Sequence, residues 1–195
     1  VPVTPLVISR ALRVLGYTTD QCLYNPDKMA DAKVASAEKF DDDSVVAGTD
    51  LFVEAECMGS KVTVYEHTPV VTEYFLKDRK DIDKLKVPDP SSDGRMPFVC
   101  KEIELIRQKI GDTRVIVPVT GGPVTQASQL YGPEQLLIAM IEDPEWVHRL
   151  LRICTDASLA YWNGLIKAGA HAIVLLEPFS ANTILSPDQY EEFTA

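Results

Sequence analysis

Residues 114–130 read RVIVPVTGGPVTQASQL. After Arg114, the run to Val119 is continuous, apolar and rich in β-branched residues, the mark of a strand buried on both faces. Thr120-Gly121-Gly122-Pro123 ends that strand and opens a helical segment to Leu130. Pro123 takes the first helical position, where a missing N–H leaves no bond unmade. A buried strand passing directly into a helix is one β/α unit, and the unit recurs in both directions along the chain.

Downstream, Gly132-Pro133-Glu134 opens a helix ending near Glu142, and Asp143-Pro144-Glu145 is a second helix start. That helix carries apolar residues at Val147, Leu150, Leu151, Cys154, Tyr161, Leu165 and Ile166, close to helical periodicity. Gly169 closes it, residues 170–176 form another buried strand, and Ser186-Pro187-Asp188 starts a last helix. Upstream, residues 3–8 read as a first buried strand, followed by a short helical stretch, 9–15, stopped by Gly16. Asn25-Pro26-Asp27 starts a helix to about Phe40, and Asp41-Asp42-Asp43 turns the chain into a second strand, 44–47. Gly48-Thr49-Asp50 leads into a helical pattern over 51–58, ended by Gly59. Residues 61–65 alternate as an accessory strand, 68–94 form a charged, Pro-punctuated excursion of short helices and loops, and 97–110 are helical.

Four buried strands, each followed by helix, specify an α/β fold with a parallel sheet. The choice lies between a doubly wound sheet and part of a (β/α)8 TIM barrel. No G-x-G-x-x-G follows any strand, which weakens the dinucleotide-binding alternative. A complete barrel takes about 250 residues and rarely fewer than about 200. Four units in 195 residues therefore read as roughly the first half of one, with 1–195 as the N-terminal half of a single barrel domain. Four units leave two sheet edges unpaired, so the expectation is that the native chain continues or that another chain closes the sheet, a homo-oligomer included.

The net charge is −10, from 19 Lys+Arg and 29 Asp+Glu, with no basic cluster. That balance disfavours nucleic acid and anionic membrane as partners. No apolar run approaches a membrane span and no signal peptide is visible. Cys22, Cys57, Cys100 and Cys154 form no C-x-x-C pair, which argues against a local zinc knuckle and fits the reducing cytoplasm.

Two stretches carry a resemblance: PVTGGPVTQASQLYGPEQLLIAMIEDPEWVHRLL, 118–151, and GAHAIVLLEPFSANTILSPDQYEEF, 169–193. Together they resemble the uroporphyrinogen decarboxylase superfamily, which contains the haem-pathway decarboxylase and zinc-dependent corrinoid methyltransferases. TDLFVEAECMGSKV, 49–62, resembles the second-strand segment of the methyltransferase branch. The resemblance implies the barrel fold. It also separates the branches. The decarboxylase carries an Arg-Gln-x-Gly-Arg-Tyr stretch after strand one whose arginines hold substrate carboxylates; here the stretch is Ser9-Arg10-Ala11-Leu12-Arg13. Its tyrosine in the helix after strand three is matched by Gln129, while its aspartate after strand two is matched by Asp50. With few cations for an octacarboxylate substrate, the methyltransferase branch is the nearer one.

Barrel chemistry sits at the C-terminal ends of strands. The candidates there are Asp50 and Glu177 as catalytic carboxylates, and Arg10, Gly121, Gly122, Gln129 and Asn182 as substrate contacts. Each has a plainer alternative: Asp50 a helix N-cap, the glycine pair a sharp turn, Arg10 a solvated charge, Gln129 an exposed helix position, Asn182 part of a polar turn. Glu54 and Glu56, two apart, cannot share a helix face, so one reaches the barrel mouth while the other is solvated. His67, His148 and His171 lack metal-ligand spacing and read as structural. The resemblance implies zinc and a corrinoid, with the zinc ligands in the barrel's second half, outside residues 1–195. It implies a corrinoid protein or tetrapyrrole ligand as partner and methyl transfer from a corrinoid to an acceptor such as a thiol. Uroporphyrinogen decarboxylation and a non-catalytic, partner-closed half barrel are the alternatives.

Overall fold

A computed structural model describes residues 3–48, 50–65 and 68–195; His67 therefore lies outside the described residues, as does Thr49 of the turn before Asp50. After a 3-10 helix, Ser9–Leu15, and a short helix α1, Thr19–Cys22, the chain forms α2 (Pro26–Phe40), β1 (Ser44–Ala47) and α3 (Val53–Cys57). A hairpin of β2 (Lys61–Tyr65) and β3 (Thr68–Glu73) follows, then α4 (Met96–Ile110) and β4 (Val115–Gly121). The last part holds α5 (Pro123–Tyr131), α6 (Pro133–Glu142), α7 (Pro144–Lys167), β5 (Val174–Leu176) and α8 (Pro187–Phe193).

The central sheet runs β1-β4-β5 and is parallel, Ser44 opposite Val115 and Val119 opposite Val174. Parallel strands with helical crossovers make this an arc of a (β/α)8 barrel. Punctuation in the sequence sets the elements. Asn25 accepts a hydrogen bond from Lys28 N–H to start α2, and Asp143 does the same for Trp146 N–H at α7. Gly16 ends the first 3-10 helix in the left-handed region at φ 73°. Val45, Ile103, Ile106 and Ile116 fill a core between sheet, α2 and α4, and Val124, Leu136, Val147 and Leu150 fill a second one beneath α5 and α6. α7 contributes to both: Leu150 lies in one and Leu165 in the other.

Three expectations need correction. Residues 3–8 are not a strand. Pro5 has no N–H to give a ladder, its carbonyl turns inward to accept from Val7 N–H at 2.8 Å, and the Val7 and Ile8 carbonyls accept from the buried Lys33 ammonium at 3.4 and 2.8 Å. Only Val3 meets the sheet's entrance, exchanging hydrogen bonds with Asp43. Residues 68–73, expected as loop and short helix, are instead β3, antiparallel to β2. Pro69 disguises Val70-Val71-Thr72 as a broken segment, yet a proline is tolerated on a two-stranded ribbon's open side. The expected buried strand over 170–176 shrinks to three residues and is half-exposed. Its upstream end is held by a side chain, because Ile116 N–H donates to His171 Nδ1 at 2.9 Å while His171 N–H donates to the Ile116 carbonyl.

Candidate functional site

The C-terminal ends of the strands open onto a cleft of ≈ 390 Å³. Phe52 borders it after β1, Thr125, Ser128 and Gln129 from α5 after β4, and Phe179 and Ile184 after β5. Val70, Val71 and Tyr74 cover one side, so β3, which the sequence places in a segment of short helices and loops, forms part of the wall. No lysine or arginine borders the cleft.

Next to this mouth lies a buried charge cluster. The Arg95 guanidinium reaches Asp50 through two hydrogen bonds, 2.7 and 3.1 Å, and Glu56 through a third at 2.5 Å. Asp50 also accepts from Phe52 N–H at 2.9 Å, and Tyr24 OH donates to Glu56 at 3.0 Å. The Arg95 and Asp50 side chains are 1% and 3% exposed. Burial opposes the arginine's charge, but the hydrogen bonds and charges of Asp50 and Glu56 outweigh it and hold the guanidinium protonated. Asp50 is thus not the N-cap of a helix over 51–58. The helix starts at Val53 with Phe52 as its cap residue, and Asp50 closes a turn ahead of it.

Glu54 faces the interior on the same short helix. Its carboxyl is buried, Oε1 has no hydrogen-bond partner among the described residues, and burial pushes its pKa up to about 8. Glu56, the other member of the pair, is not solvated; it takes the third bond of Arg95. Deeper, Gly48 N–H donates to Glu102 Oε1 at 3.1 Å, tying the exit of β1 to α4. Burial raises the Glu102 carboxyl and lowers the Lys33 ammonium nearby, each partly offset by the charge of the other.

Glu177 leaves β5 and turns its carboxylate onto the start of α5, accepting from Val124 N–H at 3.3 Å and Thr125 N–H at 2.5 Å. Burial raises its pKa, and these hydrogen bonds hold part of the rise back. The first N–H groups of a helix lack partners within it, so the carboxylate satisfies two of them. Gly122 makes the approach feasible: a Cβ there would stand 1.8 Å from Glu177 Oε2. Gly121 is tight as well, its Cβ position lying 3.1 Å from the Leu51 carbonyl.

Gln129 is not exposed; it is buried at the cleft, with Oε1 unpartnered among the described residues. Arg10 is exposed in a separate hollow with Arg13, Tyr17 and Thr68, and Asn182 is exposed in another with Ser186 and Tyr190. The structure therefore puts Gln129 in the lining of the cleft and Asp50, Glu177, Gly121 and Gly122 at the strand ends beside it, while Arg10 and Asn182 border other hollows. Sequence reasoning missed Arg95. Its signal was a cation in the residue before α4, where the helix dipole repels positive charge unless an acid compensates.

Among the described residues no group of three or more His, Cys, Asp and Glu is arranged to hold a metal ion. Burial raises all four cysteine thiols. No helix among the described residues is long and apolar enough to cross a membrane.

Comparison with known proteins places this geometry. A solved structure described as a methyltransferase from Methanosarcina mazei superposes with a TM-score of 0.91 at 30% identity, over 100% of this chain and 59% of that one. A methylcobamide:CoM methyltransferase of Methanosarcina barkeri is 29% identical over 194 residues, 98% of this chain and 57% of that protein. A uroporphyrinogen decarboxylase of Myxococcus xanthus is 28% identical over 190 residues, 94% of this chain and 53% of that protein. The chain spans a little over half the length of the curated relatives it matches. Both activities occur among relatives at nearly equal identity. The family model for uroporphyrinogen decarboxylase (URO-D) matches residues 1–195, and the chain belongs to that family.

Proposed function

We propose that the protein transfers a methyl group from a methylated corrinoid to an acceptor such as a thiol, with residues 1–195 supplying the N-terminal half of one barrel domain. The observation that carries this reading is the wall that the described residues give the cleft: apolar and uncharged polar side chains, with no lysine or arginine among them. A porphyrinogen bearing eight carboxylates needs cations to meet them; a corrin with neutral arms needs apolar walls and hydrogen bonds. Arg95, the buried arginine nearest the strand ends, is already charge-paired with Asp50 and Glu56.

A methylated corrinoid, when bound, would supply the methyl group and keep the electron pair of the bond that breaks, while the acceptor sulfur would gain the new S–C bond. The described residues contribute binding and rigidity. Phe52, Phe179 and Ile184 give the macrocycle an apolar flank. The Arg95 bridge fixes the loop after β1, and Glu177 fixes the start of α5, so both walls keep their spacing while the reactants align. Asp50 and Glu177 act here as positioning residues. The resemblance implies zinc for thiol activation, and the described residues hold no cluster of donors for it.

The test uses the protein at its native length, with methylcob(III)alamin and 2-mercaptoethanesulfonate in one assay and uroporphyrinogen in another. Loss of the methyl–cobalt absorption together with an S-methyl product supports methyl transfer. Coproporphyrinogen formation without cobalamin turnover would replace this reading with decarboxylation.

A further inference from the structure

We propose that Gln129 selects macrocycles with neutral carboxamide arms over those with carboxylate arms, by pairing its side-chain amide head to tail with a primary carboxamide of the ligand. The inference rests on the corrinoid reading and names the feature of the corrinoid that the site recognises.

Gln129 sits on α5 at the cleft, 8% exposed. Its backbone is fixed, since the carbonyl accepts from Ser60 Oγ at 2.9 Å. Its side-chain oxygen has no partner, although a buried polar atom left unpaired is costly and uncommon. The neighbouring buried hydroxyls are engaged. Ser128 Oγ donates to the Thr125 carbonyl at 2.7 Å, and Thr125 Oγ1 accepts from Phe179 N–H at 3.4 Å. Glu177 is held by α5. What remains at this wall is one amide whose oxygen is buried, and its broad terminal torsion lets the amide turn so that donor and acceptor both meet a ligand.

A primary carboxamide matches both ends: its N–H₂ donates to Oε1 and its carbonyl accepts from Nε2–H. A carboxylate only accepts. It would leave Oε1 unpaired and set negative charge beside it, with no cation in the lining to compensate. Sites built around a hydrogen-bonding group reject analogues that leave it unmade.

The experiment measures equilibrium binding of two ligands to the native-length protein: cobinamide, with carboxamide arms, and cobyrinic acid, the same corrin with carboxylate arms. The parent is expected to prefer cobinamide by about tenfold, the worth of roughly one net hydrogen bond. Gln129→Leu should reduce that preference to about twofold, whereas Gln129→Glu should retain it, because its carboxylate accepts the amide N–H and repels a carboxylate. Equal binding of both ligands by the parent overturns the inference and leaves the corrinoid reading standing. An unchanged preference in Gln129→Leu also overturns it, by tracing the preference to net charge alone. Failure of the parent to bind either corrin overturns the corrinoid reading and this inference together.

Discussion

Arg95 carries more of the site's geometry than any other single residue among those described, because three hydrogen bonds from one buried guanidinium hold two carboxylates on the loop and helix after β1. Buried ion pairs add little net stability when formed, yet removing one partner leaves the other charge stranded. Arg95→Met is therefore expected to destabilise the fold by about 3–5 kcal/mol in urea unfolding, with Asp50→Asn in the same background recovering part of the loss. Glu54 behaves differently, since its carboxyl is buried without a cation bonded to it. Its folded-state pKa of about 8 stands above the 4.5 of an exposed glutamate, so the folded chain holds a proton that the unfolded chain has released. The stability this group contributes is complete below about 4.5 and is lost as pH rises through about 8. Glu54→Gln should flatten the decline in melting temperature between those limits; an unaltered pH profile would place the titration elsewhere.

The junction of β4, α5 and β5 is where neighbouring β/α units lock together. Gly122 lacks the Cβ that would displace Glu177, and Glu177 in return satisfies the first N–H groups of α5. Glu177→Ala should cost about 1–2 kcal/mol, the worth of a lost cap. Gly122→Ala should cost at least as much, because the carboxylate must leave or the backbone must move. The two changes break the same contact, so the double variant should be less destabilised than their sum by about 1 kcal/mol or more, read by a double-mutant cycle. Strict additivity would show that glycine and carboxylate act independently.

Over the whole molecule, α7 joins two cores that would otherwise be separate, with Val147 and Leu150 packed under α5 and α6 and Tyr161 and Leu165 packed under the sheet. Leu150→Ala is expected to cost about 2–5 kcal/mol and to lower a single cooperative transition, since α7 couples the cores; two resolved transitions would show that they unfold separately. Among the described residues the outer sides of β1 and β5 have no strand partner, and Leu175 of β5 is 45% exposed. Open edges of this kind invite pairing. A protein comprising residues 1–195 alone should self-associate in sedimentation velocity; a cooperatively unfolding 21.6 kDa monomer would refute this.

The sequence by itself determined the elements whose signals are local. Asn25-Pro26, Asp143-Pro144 and Ser186-Pro187 mark the starts of α2, α7 and α8 because capping involves residues at most three apart. The apolar run after Arg114 determined β4 for the same reason, and the Thr-Gly-Gly-Pro turn marked a strand end on the side where barrels keep their chemistry. Only the tertiary structure decided what long-range partners settle. Lys33 took the carbonyls that would have paired residues 3–8, and Val70-Val71 became a strand because Val62 to Tyr65 lay opposite. Arg95 found Asp50 across 45 residues of chain, and Gln129, buried, took Ser60 Oγ on its carbonyl across 69. Backbone capping is written within one turn of helix. Charge pairing and burial are set by which segments meet, and that depends on the packing of the whole sheet and its helices.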